Sequence, residues 1–492
     1  MNSVYREAFI MNKKGWKKYV GIVCAASILS WAPAFTAVNV HAQVPTITQS
    51  MQYQPSWESN VNKGINDFIA MYGDKSPNYA NTVKPYAVFD FDNTTAILDI
   101  EEQLAIWQLD RLAFAISPDN MKNVLLTGIP KDKLNAVYGA DDGSGKEVKI
   151  LDAITDAAND YKVLYKKGWV TTKGMQPTAE MKASPEYQDF KAKMRWLYTA
   201  IGDTMDSSVS YPWVTYWFTG MTPSEVYNLA KESHLYYGDK TKGQTWTKGS
   251  YTSPNNLSTK AGPVTISYKN GITVTPQMLE LYRSLNANGI DTWVNSASQV
   301  DVVKAAVDAF NIPGVDGVVA MTNKLDKSGR YINEYNYDLH DQTQGKGKST
   351  TINKVIAPLY QGHGPALAAM DSQGDFNFAT EFKDTKLVLI FNRQRKDDAA
   401  IVAGIAEYQK KHHIDLATAN KNGDSLFLLQ GRNENNGTYW DSDQTLLLGK
   451  KDTAYLSPKA LKVEHELNLG KSISDVIQDN KKDKEHTGYK TR

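Results

Sequence analysis

Cysteine is almost absent from this chain of 492 residues, since Cys24 is the only one. A single cysteine cannot form an internal disulfide, and it cannot supply the several thiolates of a cysteine-rich metal site. The eight histidines are scattered, and only His412 and His413 are adjacent. The composition therefore excludes disulfide-rich folds and gives no support to a zinc enzyme.

An excess of charge of one sign is also missing, because 55 Lys and Arg residues balance 54 Asp and Glu residues. A nearly neutral chain offers no electrostatic basis for binding nucleic acid or a membrane surface. The sequence shows no internal repeat, and nothing in it indicates a protein partner.

The N-terminal region lacks the long, clean apolar run of a strong membrane span. A cluster of lysines at 13–18 precedes an apolar stretch from Tyr19 to about Thr36, which is interrupted by Ser, Pro and Thr, and Val40-His41-Ala42 follows. This order is typical of a secretory signal. We expect cleavage near Ala42 and a secreted or periplasmic protein without a stable membrane anchor. A retained anchor is the alternative.

The rest of the chain is long enough for two or three lobes. Strand and helix patterns alternate, which predicts an α/β fold with a doubly wound, mostly parallel sheet. We assign residues 1–42 to the signal peptide and 43–82 to a leader with a helix near Trp57–Met71. The predicted catalytic core combines residues 83–95 with 270–469, the section 96–269 is mainly helical, and 470–492 are expected to form a disordered tail.

The most informative stretch is Tyr86–Thr95, an apolar run that ends in Asp90 and Asp92. A buried strand followed by Asp-x-Asp places two carboxylates at the carboxyl edge of a sheet, where open α/β folds bind ligands. Two acids this close require a cation or a shared proton. The alternative is a simple Asp/Asn turn without chemistry.

Polar residues also follow three later predicted strands or begin the next helix. Ser296 follows one strand and is expected at a helix start, although Ser298 is an alternative. Lys348 follows Gly347 at the start of a helix, with Lys346 and Lys354 as rivals. Asp371 follows a third strand, and Asp375 lies four residues further on.

This set of residues suits phosphoryl transfer. Mg²⁺ held by Asp90 and Asp371 would offset the charge of a phosphate monoester. Asp90 would attack phosphorus, and Asp92 would exchange protons with the leaving alcohol and the hydrolytic water. Ser296 and Lys348 would hold phosphoryl oxygens. Although Gly347-Lys348-Ser349 resembles the end of a nucleotide-binding P-loop, position 342 is Gln instead of Gly, which excludes that motif.

In order and type, these four motifs resemble those of haloacid dehalogenase superfamily phosphatases. The resemblance implies that Asn93 and Thr94 support the phosphate-binding loop, and that Asp371 and Asp375 complete the metal site with Asp90. It also implies that Asp92 gives its backbone carbonyl to the metal, and that residues 96–269 form a substrate-selecting cap. Met370 departs from the pattern, which has Gly before the fourth-motif aspartate.

A narrower resemblance is to secreted bacterial phosphorylcholine phosphatases. It covers the stretches Asp92–Glu102, Trp217–Val226, Val274–Tyr282 and Phe427–Arg432. The resemblance implies that Glu102 and cap aromatics such as Trp213 surround a trimethylammonium group, which π-faces and carboxylates can bind.

Together these features predict an exported Mg²⁺-dependent phosphomonoesterase that acts on a small molecule, with phosphorylcholine as the expected substrate. A broad acid phosphatase is one alternative. A non-catalytic protein that binds choline-like cations is the other.

Overall fold

A computed structural model of the chain describes residues 57–76, 79 and 83–481. The predicted signal peptide and about half of the predicted leader lie outside these residues, as does the end of the predicted tail. Among the described residues, no helix combines the length and apolar character that a membrane span requires.

The first described elements are helix α1 (Ser59–Tyr72) and strand β1 (Tyr86–Phe89). The carboxylate of Glu58 accepts the N–H of Val61 at 2.9 Å, so the helix begins with a satisfied donor. All four residues of β1 are buried. The strand ends directly before Asp90, as the sequence predicted.

The section between β1 and the next strand of the main sheet is mainly helical, but it also contains two antiparallel hairpins. Its elements are α2 (Ile100–Arg111), α3 (Met121–Leu126), β2 (Val137–Gly139), β3 (Glu147–Lys149), α4 (Ile150–Lys166), α5 (Ala179–Ala183), α6 (Pro185–Thr204), α7 (Ser207–Thr215), α8 (Pro223–Tyr237), β4 (Thr247–Thr252) and β5 (Thr265–Asn270). The sequence did not predict the hairpins. Strands β2 and β3 have three residues each, too few to show the alternation of apolar and polar residues that predicts a strand.

The α/β pattern resumes after β5. Its elements are α9 (Pro276–Ala287), β6 (Asp291–Gln299), α10 (Val300–Ala309), β7 (Val315–Met321), β8 (Asn323–Leu325), β9 (Tyr331–Tyr335), α11 (Lys346–Thr351), β10 (Leu367–Met370), α12 (Phe376–Thr380), β11 (Leu387–Phe391), α13 (Ala399–Lys411), α14 (Leu416–Lys421), β12 (Leu426–Gln430), β13 (Arg432–Asn433), β14 (Thr438–Tyr439), α15 (Pro458–Asn468) and α16 (Ile473–Asn480).

The central sheet has six strands in the order β12-β11-β10-β1-β6-β7. Every neighbouring pair is parallel. Strand β1 lies inside the sheet, between β10 and β6. The chain builds one side of the sheet and then the other, so the strand order reverses beside β1. This is the edge at which doubly wound sheets form ligand crevices.

Alternate residues of β1 face two different hydrophobic cores. Ala87 and Phe89 pack in the core that includes α1, whereas Tyr86 and Val88 pack in the core that includes α13 and α15. A sheet that is covered on both faces requires continuously apolar strands, which explains the run Tyr-Ala-Val-Phe. The doubly wound α/β fold is confirmed.

The prediction of a disordered tail is wrong for its first part, because helix α16 occupies Ile473–Asn480. Val476 is fully buried, and Ile473 and Ile477 pack against the core that contains α13. Apolar residues at spacings of three and four form one narrow stripe in an otherwise polar segment. The overall polarity of the segment concealed this short stripe.

Candidate active site

Asp90 lies directly after β1 and is almost completely buried. Its Oδ1 accepts a hydrogen bond from Lys348 Nζ at 2.5 Å, and its Oδ2 accepts one from Thr94 Oγ1 at 3.2 Å. Burial, followed by the nearby charge of Asp375, raises the pKa of Asp90 well above its usual range, although Lys348 opposes this shift. Asp90 is therefore a buried carboxylate, and a nearby positive charge is needed to stabilise its ionised form.

Asp371 and Asp375 join Asp90 in a buried cluster of three carboxylates whose oxygen atoms lie within 4.8 Å of one another. Asp371 follows β10, and its Oδ1 accepts a hydrogen bond from Thr94 at 3.3 Å. The Asp375 side chain folds back and accepts the backbone N–H of Asp371 at 3.2 Å. The loop after β10 thus aims both acids at the end of β1.

Lys348 is the lysine that the structure brings to this cluster. Its Nζ also donates to Asp375 at 2.6 Å. Burial alone would lower its pKa, but Asp375 and Asp90 outweigh burial and raise the pKa above its usual value. Lys346 is exposed and pairs with Glu381, and Lys354 is exposed on the following turn.

Gly347 allows this placement of Lys348. A Cβ atom at position 347 would overlap with the carbonyl oxygen of Gln342. Any other residue would push the first turn of α11 away from the preceding loop.

Asp92 lines the same cavity but is not part of the three-carboxylate cluster. Its Oδ1 accepts the N–H of Ile100 at 2.7 Å, and its Oδ2 accepts the hydroxyl of Ser298 at 2.6 Å. Burial, and then the charge of Asp99, raises the pKa of Asp92 well above its usual range. A carboxyl group that holds its proton more firmly suits the predicted role in proton transfer. The predicted role of its backbone carbonyl in binding metal stays a prediction.

Ser296 and Ser298 lie in different environments. Strand β6 extends to Gln299, so Ser296 is not at the start of α10 as expected from the sequence. Its side chain is fully buried, and its Oγ accepts the N–H of Ser298 at 3.1 Å. Of these two serines, Ser298, the alternative considered from the sequence, lines the cavity. The predicted contact between Ser296 and phosphate stays a prediction.

Asn93 and Thr94 hold the turn after β1. Asn93 adopts a left-handed backbone conformation with φ at 61°. The fully buried guanidinium of Arg432 donates to Asn93 O at 2.6 Å and to its Oδ1 at 2.9 Å. Glu434 pairs with Arg432 at 2.6 Å. The sequence placed Arg432 in a family-like stretch but assigned it no role.

The structure does not bring Glu102 and Trp213 to the cavity. Glu102 is buried and forms an ion pair with Arg195 at 2.7 Å. Although burial acts to raise the pKa of Glu102, Arg195 and Lys269 lower it overall. Trp213 packs edge-on against Trp217 and donates its Nε1–H to the Leu125 carbonyl at 2.8 Å. Protein partners hold both side chains and neither lines the cavity, and the predicted substrate contacts stay predictions.

One cavity opens onto the carboxylate cluster. Its walls are formed by Asp90, Asp92, Asn93, Asp99, Glu101, Tyr198, Tyr211, Val214, Ala297, Ser298, Lys348, Asp371, Ser372, Gly374, Asp375 and Arg393. Sequence reasoning missed Asp99, Glu101 and Arg393. The sequence did contain a signal for Arg393, since it comes two residues after β11. Polar residues just after the other strands had been identified by the same pattern.

The chemistry of this cavity fits Mg²⁺. Six of the lining side chains are carboxylic acids, whereas two are basic. The three clustered acids offer only oxygen ligands, which Mg²⁺ prefers. Asp90, Asp371 and Asp375 are the residues that would hold it.

No protein-family model matches this chain, and no curated protein matches it either. Among solved structures, a conserved protein of unknown function from Anaerococcus prevotii DSM 20548 is 27% identical, with a TM-score of 0.68, and the match covers 81% of this chain and 99% of that one. A protein of unknown function from Bordetella pertussis Tohama I is 15% identical, with a TM-score of 0.33, over 68% of this chain and 100% of that one.

A phosphoserine phosphohydrolase-like protein from Francisella tularensis subsp. tularensis SCHU S4 is 12% identical, with a TM-score of 0.26, over 63% of this chain and 87% of that one. The likenesses to the Bordetella and Francisella proteins are too weak to support an argument. The first one shows that nearly the whole fold of the Anaerococcus protein recurs in this chain.

Proposed function

We propose that this protein is a Mg²⁺-dependent phosphomonoesterase of the haloacid dehalogenase superfamily, working through an aspartyl phosphate on Asp90. One observation carries the proposal. Asp90, Lys348, Asp371 and Asp375 come from three separate segments of the chain and share one buried cluster at the carboxyl edge of a parallel sheet. Their order and types follow the motifs described above.

The residues divide the reaction into two steps. Asp90 attacks phosphorus, so an O–P bond to the enzyme forms while the bond to the leaving alcohol breaks. Asp92 supplies the proton that the leaving oxygen needs, and then takes a proton from the water that hydrolyses the aspartyl phosphate. Lys348 holds negative oxygens as charge develops. When bound, Mg²⁺ would neutralise part of the phosphoryl charge.

Phosphorylcholine is the substrate that we propose, with choline and phosphate as products. Glu101 and Asp99 lie in the same cavity wall as Tyr198 and Tyr211. A quaternary ammonium donates no hydrogen bonds, and aromatic faces and carboxylates are the groups that bind it. Glu101 thus replaces Glu102 in this proposal. All four residues belong to the section 96–269, which supports a substrate-selecting role for that section.

We also propose that the protein is exported, on the basis of the signal-like sequence that ends near Ala42. N-terminal sequencing of the mature protein, purified from cell fractions, tests this. A mature chain that retains residues 1–42 would contradict it.

The test of the proposed function is turnover of phosphorylcholine and of 4-nitrophenyl phosphate. We expect activity with Mg²⁺, loss of it on chelation, and a fall of at least about a thousandfold in Asp90→Asn, which removes the nucleophile. Asp132→Asn, an exposed residue, is the matched control and should keep full activity. Unchanged turnover in Asp90→Asn would exclude the mechanism.

A comparison of substrates tests the proposed specificity. We expect phosphorylcholine to exceed phosphoethanolamine and glycerol phosphate in kcat/KM. Equal values for all three would indicate a broad phosphatase, and ligand binding without turnover would indicate a binding protein.

A further inference from the structure

Arg393 is a second cation in the wall of the active-site cavity. It comes two residues after the end of β11, while Asp90 and Asp371 come directly after β1 and β10. Its Nη1 donates to Asp371 Oδ2 at 2.6 Å, and its side chain is 9% exposed. The sheet therefore delivers a guanidinium to the same edge as the carboxylates.

The free hydrogen-bonding capacity of Arg393 is the second observation. A guanidinium carries five N–H donors. The Nε of Arg393 is buried without a hydrogen-bond partner among the described residues. A buried donor that is left unpaired costs free energy, so its position beside a cavity requires an explanation, and an anionic ligand is one that supplies the missing acceptor.

Arg432 shows what a purely structural arginine looks like in this protein. Its Nε, Nη1 and Nη2 all donate to Asn93 or Glu434. Arg195 shares the buried, unpaired Nε but does not line the cavity. Among the described arginines, Arg393 combines an unpaired donor with a place at the cavity wall.

The charge of the cavity explains why a second cation is useful. Lys348, the other basic residue of the wall, already bonds to both Asp90 and Asp375. A phosphate monoester brings nearly two further negative charges. Arginine suits this task because its planar fork binds two oxygens of one phosphoryl group.

We propose that Arg393 is a phosphate-binding residue whose guanidinium contacts the phosphoryl oxygens of a bound monoester or of orthophosphate. Its Nη1 keeps Asp371 in place, while its remaining donors face the anion. This inference rests on the proposed function and adds a residue that none of the four sequence motifs contains.

Calorimetric titration with inorganic phosphate at saturating Mg²⁺, and with Mg²⁺ alone, tests the role of Arg393. In Arg393→Gln we expect the Kd for phosphate to rise at least tenfold, the effect of losing one charge-assisted hydrogen bond. The Kd for Mg²⁺ should stay within threefold or decrease. Arg395→Gln is the matched control, since Arg395 pairs with Asp397 outside the cavity wall.

The opposite pattern would overturn the proposal. A Kd for Mg²⁺ that rises tenfold, with phosphate binding unchanged at saturating Mg²⁺, would mean that Arg393 only positions Asp371. If Arg393→Gln does not fold, the same titrations are done with Arg393→Lys. A rise of less than threefold in the Kd of that variant for phosphate would contradict the inference.

The wild-type protein separates this inference from the proposed function. If it binds no phosphate in the presence of Mg²⁺, the proposed function itself fails. If it binds phosphate as tightly as the Arg393 variants do, only the role of Arg393 fails.

Discussion

Glu101 and Glu102 are neighbours on helix α2 but have different surroundings. Glu101 lines the cavity, and its Oε2 accepts the N–H of Gln299 at 2.8 Å. Glu102 points to Arg195 and forms a buried ion pair. Consecutive helical residues do not face the same way, so one acid can serve the substrate while the other serves the packing of α2 on α6.

Exchange of each glutamate for glutamine should separate these roles. We expect Glu101→Gln to raise the KM for phosphorylcholine about tenfold, because the cavity loses a negative charge beside the ammonium group. Glu102→Gln should lower the free energy of unfolding by about 3 kcal/mol, since it leaves Arg195 buried without its counter-charge. Steady-state kinetics and urea unfolding measure the two effects. An equal effect of both variants on KM would contradict this assignment.

At the level of elements, the turn after β1 depends on Arg432 of strand β13. Because the guanidinium holds both the carbonyl and the side chain of Asn93, it fixes the left-handed residue between Asp92 and Thr94. Arg432 is paired with the buried Glu434. Although burial acts to raise the pKa of Glu434, the charges of Arg432, Arg393 and Lys269 lower it to about 2. The loop that carries Asp90 is thus attached to a segment that lies more than 300 residues later in the chain.

Arg432→Met should therefore lower both stability and turnover. Removal of one partner of a buried ion pair costs about 3–5 kcal/mol of unfolding free energy, and we expect kcat to fall while KM changes little. Arg330→Met is the control, because its pair with Glu225 is partly exposed, at 43% and 33% of the two side chains, and should contribute under about 1 kcal/mol. A normal kcat in Arg432→Met would show that the turn holds its shape unaided.

The contact between α8 and α10 contains a histidine that must stay neutral. His234 is fully buried, and its Nε2 lies 3.2 Å from the Val302 carbonyl. Burial lowers the pKa of His234 to about 4, from about 6.5 in an unfolded chain. Between these two values the unfolded state binds the extra proton, so stability falls as the pH falls from about 6.5 to about 4.

His234→Gln should remove this dependence. We expect the difference in unfolding free energy between the wild type and the variant to be constant above about pH 6.5. The wild-type value minus the variant value should decrease by up to about 3 kcal/mol as the pH falls towards 4. Urea unfolding at several pH values measures it, and taking the difference cancels the contributions of the shared carboxylates. A difference that does not change with pH would show that His234 titrates normally.

The sequence was sufficient to predict the sheet, and with it Asp90, Lys348, Asp371 and Asp375, because apolar strands and the polar residues at their ends are local patterns. It could not determine which of Glu101 and Glu102 faces the cavity, since that depends on the rotation of α2 against its neighbours. The same limit applies to Ser296 and Ser298, whose environments depend on where β6 ends. The hairpins β2–β3 and β4–β5 and the helix α16 depend on contacts between residues that are too far apart in the chain to appear in a local sequence pattern.

For the whole molecule, the three-carboxylate cluster links metal binding to stability. A cation that binds only the folded state raises the free energy of unfolding by about 3 kcal/mol at 100 times its Kd. We expect Mg²⁺ to raise the Tm by several degrees, and Asp371→Asn to abolish most of this rise. Thermal unfolding with and without Mg²⁺ measures it. Asp397 lies outside the cavity wall, so the control variant Asp397→Asn should keep the rise in Tm. The same rise in Asp371→Asn as in the wild type would exclude Asp371 as a ligand.

The position of β1 inside the sheet affects when the active site can form during synthesis. Ala87 pairs with Thr292 on one side and with Leu367 on the other, so a nascent chain exposes the segment that carries Asp90 long before either neighbouring strand leaves the ribosome. Closing such long loops delays assembly. A chain that stops before β10 would carry Asp90 and Asp92 beside an unpaired strand edge, and we expect it to aggregate or be degraded. The three-carboxylate cluster can thus form only after the segment that contains β10 and Asp375 has been synthesised.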